Sequence, residues 1–195
     1  TVVDQDGDSV TRQVTVQVGD AHVPTIDTPE GDAVVALVDD DGLAGGNPGG
    51  EGDLAGQGGD ETTFSGTLAF DYGDDGAGGV DFAAMHGQTG TLGTETITYS
   101  WDGDSKVLTA TVTGGERDGQ ALFQVEITDA VAGDYRVTLL TNVQHADDET
   151  DTENEAGLGL TYTVTDADGS TADGTLHVTF DDDVPVLDIR QVTFE

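Results

Sequence analysis

The chain has 195 residues, with 40 Asp and Glu against 5 Lys and Arg, a formal charge of −35 and no cysteine. That length suits one large domain, or one domain plus a fragment. The charge argues against nucleic acid or an anionic membrane surface as partner; the missing cysteines exclude disulfides, thiolate metal sites and cysteine catalysis. No apolar run nears the ~20 residues of a membrane span.

In chain order, the first predicted element is a hairpin over residues 1–20. Its turn is Asp4-Gln5-Asp6-Gly7-Asp8, and its second strand carries the alternating Val14, Val16 and Val18. An acidic proline linker, 21–33, follows around Pro24. The Asp39-Asp40-Asp41 run comes next, then a segment, 42–59, with nine glycines, expected to be a loop. Within it Gly49-Gly50-Glu51-Gly52-Asp53 has the flavour of a calcium β-roll nonapeptide, but it is one residue short and is not repeated.

Beyond it, apolar and polar residues alternate through Phe64, Leu68, Phe70; Ile97, Tyr99, Trp101; Phe123, Val125, Ile127; Tyr135, Val137, Leu139; Leu158, Leu160, Tyr162, Val164; and Leu176, Val178, Phe180. A two-residue period rich in Val, Thr, Tyr and Phe predicts half-buried strands. Turns fall at Asp102-Gly103-Asp104, Ala132-Gly133-Asp134 and Asp166-Ala167-Asp168-Gly169. Only Phe82 to His86 suggests a helical turn, and 147–155 reads as a solvated acidic loop. The prediction is an all-β, antiparallel sandwich.

An internal repeat sets the boundaries. Thr1-Val2-Val3-Asp4-Gln5-Asp6-Gly7-Asp8 returns as Thr163-Val164-Thr165-Asp166-Ala167-Asp168-Gly169-Ser170, an offset of 162 positions. Each copy leads into an acidic linker with proline, at Pro24 and at Pro185. A long fixed period marks a tandem array. The expected organisation is a terminal hairpin at 1–20, closing a preceding repeat or completing this sandwich; the linker at 21–33; a sandwich module at 34–183; and a linker with the start of a next module at 184–195.

Evenly spread acid would serve solubility in a saline habitat, but here it clusters. Asp4, Asp6 and Asp8 alternate, as do Asp166 and Asp168, so their carboxylates are expected to converge where strand meets turn. At the linkers, Asp181, Asp182 and Asp183 face Asp188 across Pro185, and Asp20 faces Asp27 across Pro24. Converging hard oxygen donors without nitrogen or sulfur select Ca²⁺. The first cluster is no EF-hand, because Ser9 and Thr15 stand where that loop needs Gly and Glu. Asp39-Asp40-Asp41 and Asp71 with Asp74-Asp75 are further candidates on lesser grounds, since acidic turns need no metal.

Tyr135-Arg136-Val137-Thr138-Leu139-Leu140, then residues 158–169 and the closing Asp182-Asp183-Val184-Pro185, resemble the tandem repeats of giant RTX adhesins exported by bacterial type I secretion. The resemblance spans about 64–187 and, less closely, 1–27. It implies an immunoglobulin-like β-sandwich that needs Ca²⁺ for rigidity, on the bacterial cell surface, in a protein for attachment and biofilm growth. The expected role is a calcium-stiffened spacer, monomeric and touching neighbouring repeats of its own chain. The alternative is a calcium-dependent module near the adhesin tip that binds a glycan or peptide, with the 42–59 loop, Tyr72, Trp101 and His86 as its candidate surface. Trp101 continues the in-facing set of Ile97 and Tyr99, which favours a core role. No nucleophile–base set or phosphate-cradling loop points to an enzyme.

Overall fold

The computed structural model describes residues 1–16, 22–27, 35–46, 62–145 and 155–181. In chain order the strands are β1 (Val2–Val3), β2 (Ser9–Val10), β3 (Thr25–Ile26), β4 (Val35–Asp39), β5 (Thr63–Thr67), β6 (Phe70–Asp71) and β7 (Ala77–Asp81). A 3-10 turn, Ala83–Met85, precedes β8 (Thr89–Leu92), β9 (Glu95–Asp102), β10 (Val107–Val112), β11 (Ala121–Asp129), β12 (Asp134–Leu139), β13 (Ala156–Asp166) and β14 (Thr171–Asp181). The all-β expectation is met, and the short helical turn falls inside the predicted Phe82 to His86.

Two sheets carry the body, one ordered β5-β12-β11-β10-β9-β8 and the other β4-β14-β13-β7. Their facing sides supply the core: Ile97, Leu108, Val125 and Val137 from the first, Leu160, Val164, Leu176 and Val178 from the second, all at 0–1% exposure. Alternation explains the choice, because every second side chain of a strand faces the opposite sheet. Phe123 and Phe180 meet between the sheets with ring centroids 5.0 Å apart, and Phe82 stands edge-on to Tyr162 at 6.4 Å. Trp101 is partly buried against Phe82, in keeping with its core reading.

The strand pairs are antiparallel with one exception. β4 runs parallel to β14, from Val35 beside His177 to Asp39 beside Asp181. A hairpin cannot join parallel neighbours, so β4 arrives by a separate route from the linker side. The linker itself contributes to the fold: Thr25 and Ile26 pair with Asp71 and Phe70, Pro24 is buried, and the Asp27 amide donates to the Ala69 carbonyl at 3.2 Å.

The N-terminal hairpin differs from its expected form. β1 and β2 make a two-stranded sheet of their own, in neither sheet of the sandwich, and residues 1–16 are all exposed. Val14 and Val16, predicted on a half-buried strand, lie outside any strand at 81% and 75% exposure. A two-stranded ribbon without a sheet to cover its apolar side is marginal, so pairing stops after the turn.

Candidate metal centre

The apolar run Val35-Ala36-Leu37-Val38 seats β4 against β14, and that register sets Asp39 beside Asp181. The chain then turns sharply. The Asp40 amide donates to the Asp181 carbonyl at 3.4 Å, the Asp41 amide to Asp39 Oδ1 at 2.9 Å, and the Leu43 amide to the Asp40 carbonyl at 2.9 Å. Gly46 closes the turn; a Cβ there would lie 2.2 Å from the Asp41 carbonyl oxygen. Asp39, Asp40, Asp41 and Asp181 are 6%, 4%, 2% and 2% exposed. One carboxylate oxygen from each of the first three lies within 4.8 Å of the others.

Four buried acids at one corner are costly as anions, through desolvation and mutual repulsion. An all-oxygen set of this density fits a hard divalent cation. The triplet was the lesser candidate in the sequence. Its signal was three aspartates directly after a continuous apolar strand and directly before a glycine, which puts the acids at the buried end of a strand.

The predicted Asp166–Asp168 turn lies at the other end of β13 and β14, roughly 33 Å away at ~3.3 Å per residue. Asp4, Asp6 and Asp8 do converge within 4.8 Å, but as part of a turn rather than by strand alternation. The Asp8 amide donates to Asp4 Oδ1 at 2.9 Å. Hydrogen bonding with the Asp6 carboxyl, backed by backbone N–H groups, holds Asp4 below the usual carboxylate range. In the second copy the Ser170 amide is shared between Asp166 Oδ1 (2.8 Å) and Asp168 Oδ1 (3.2 Å). Asp166 is 3% exposed, and its Oδ2 is buried and accepts no hydrogen bond among the described residues. An orphaned buried carboxylate oxygen is the kind of group a cation satisfies.

Asp27 is exposed beside Ala69, while Asp20, Asp182, Asp183 and Asp188 lie outside the described residues. The structure thus brings together Asp4, Asp6 and Asp8, and Asp166 with Asp168, and it adds Asp39, Asp40 and Asp41 to Asp181. Of the further candidates, Asp71 receives the Gly73 amide at 2.8 Å and Asp74 faces His22.

Residues 27–179 match a family described as a domain of unknown function, DUF5801. The chain belongs to the DUF5801 family. The DUF5801 span begins directly after β3 and ends within β14, so it takes in the Asp39 triplet and the Asp166 turn and leaves out the hairpin of residues 1–16. No curated protein and no solved structure matches the chain.

Proposed function

We propose that the chain is a calcium-stabilised, non-enzymatic module of a large bacterial surface adhesin, stiffening a tandem array for attachment and biofilm formation. The observation that supports this most is the buried corner of Asp39, Asp40, Asp41 and Asp181. Its carboxylates lie at the end of β4 and on the neighbouring end of β14. With Ca²⁺ between them the same carboxylates hold the two strands together. Extracellular modules bind at ~10⁻⁴–10⁻³ M, so the site would be empty at cytosolic calcium and filled outside the cell.

The two ends of the described sandwich fit a rod. β3 docks at the end of the sandwich near the Asp166 turn, whereas Asp181, the last described residue, lies at the opposite end. A cation at Asp181 would therefore stiffen the place where the chain leaves the module. The deciding measurement is calcium titration by calorimetry together with melting in calcium and in EDTA. Heat of binding and a higher melting temperature in calcium are expected; equal curves would remove the metal from the account. Protease sensitivity of the protein on intact cells tests the surface location.

One observation favours the second reading, a calcium-dependent glycan or peptide site. A cleft of about 420 Å³ opens beside Asp40, lined by Leu43, Gly46, Leu140 and Asn142. Its described lining holds no aromatic side chain on which a sugar could stack, which weighs toward the spacer. A glycan and peptide array in excess calcium separates the two.

A further inference from the structure

The same hairpin occurs twice in this molecule, once buried and once bare. Shifted by the repeat offset, the pairs Val2–Val10 and Val3–Ser9 become Val164–Ala172 and Thr165–Thr171, which are also partners in register. The turns agree bond by bond. Asp4 N to Asp8 O is 2.9 Å and Asp166 N to Ser170 O is 3.0 Å; Gly7 N to Asp4 O is 3.4 Å and Gly169 N to Asp166 O is 3.3 Å. Gly7 and Gly169 share a left-handed φ, +99° and +101°, which a side chain would strain.

The surroundings are opposite. Val164, Leu176 and Val178 fill the core at 0%, 0% and 1% exposure, while their counterparts Val2, Val14 and Val16 stand at 72%, 81% and 75%. Asp166 is buried and its counterpart Asp4 is exposed. Apolar residues at the core positions of a sandwich hairpin, in the sandwich's own register, form a face suited to burial against a sheet.

We propose that residues 1–16 are a docking element, the closing hairpin of a second DUF5801-type sandwich, and that they enter the slot β13 and β14 fill in this module. The slot is not that of an identical copy. Opposite Tyr162 this module has Gly174, where a Cβ would lie 2.3 Å from the tyrosine ring; the hairpin has Arg12 at the matching position. An arginine at this position would run into that ring, so Arg12 steers the hairpin away from a second copy of this chain and toward a sandwich with a smaller side chain there. This inference is independent of the metal reading.

The test is a fusion in which residues 22–162 are placed directly before Thr1 of the full chain, so that Thr1 takes the position of Thr163, with Arg12→Gly to clear the tyrosine. A second cooperative unfolding transition is expected. The amides of Val2, Val14 and Val16 should exchange about 100-fold more slowly than in the parent chain, as core amides do relative to frayed ones. Adding Val14→Asp and Val16→Asp should abolish the second transition, and so should keeping Arg12. A companion fusion carrying residues 22–181 before the full chain shows that an upstream copy can fold in this setting. A second transition in the companion but not in the Arg12→Gly fusion overturns the proposal, as does a second transition that survives the two aspartates. Survival with Arg12 kept overturns the selectivity.

Discussion

Asp181 sits in register with Asp39 across the parallel β4–β14 pair, and both side chains are buried, at 2% and 6% exposure. Acids facing one another beneath the surface make the stability of this corner depend on what lies between them. A ligand that binds only the folded form at a hundred times its Kd adds ~2.7 kcal/mol. For a domain of this size that is about 5–10 °C in Tm, and scanning calorimetry in EDTA should show the loss. Asp40→Asn with Asp41→Asn should shrink the calcium-dependent shift by more than half. In EDTA the same variant should melt above the parent, because a buried amide costs less to desolvate than a buried carboxylate. A variant less stable than the parent in EDTA would assign the triplet a purely structural role.

A second prediction concerns alkali. Burial pushes the hydroxyls of Tyr99 and Tyr135 up to about 12, and those of Tyr72 and Tyr162 are also raised by burial. A raised folded pKa contributes stability fully present below the unfolded value, ~10, and lost as pH rises through the folded one. Phenolate absorbance should therefore stay low at pH 10 and appear between about pH 10 and 12, together with unfolding. Half-ionisation near pH 10 with the fold intact would show the rings to be open to solvent.

Arg117 anchors a remote part of the sandwich. Its Nη1 lies 3.2 Å from Glu95 Oε2, with side chains 14% and 9% exposed, and its Nη2 donates to the Asn142 carbonyl at 2.8 Å. Removing one partner of a buried pair leaves the other uncompensated, so Arg117→Ala should cost about 3–5 kcal/mol in urea unfolding. Glu95→Gln should cost less, since the guanidinium keeps its hydrogen bonds to Gln120 Oε1 and the Asn142 carbonyl. Equal losses would indicate that charge, rather than the hydrogen bonds, dominates.

Gly174 is a steric requirement of the β13–β14 pairing. With a Cβ it would meet Tyr162 Cζ at 2.3 Å and Oη at 2.5 Å. Gly174→Ala should destabilise by about 1–3 kcal/mol through overpacking. Tyr162→Leu in the same chain should reduce that increment, and a double-mutant cycle measures the coupling. Purely additive losses would mean that the backbone, not the ring, carries the strain.

The sequence alone determined the all-β class and six of the ten strands of the two sheets, β5, β9 and β11 to β14, because a two-residue alternation such as Leu158, Leu160, Tyr162, Val164 encodes which side of a strand is buried. It also disclosed the duplicated hairpin, whose copies share one register since the same turn residues, Asp4 and Asp166, bind the same amides. Only tertiary structure decided the parallel β4–β14 pair, which joins residues far apart in the chain and leaves no local pattern. That pairing is what lifts Asp39, Asp40 and Asp41 above the other acidic runs: charge clustering can be read along a chain, but burial depends on which strand arrives alongside. For the same reason Val14 and Val16 had a half-buried signature and yet stand bare, because a strand records the face it presents and not the identity of the sheet that covers it.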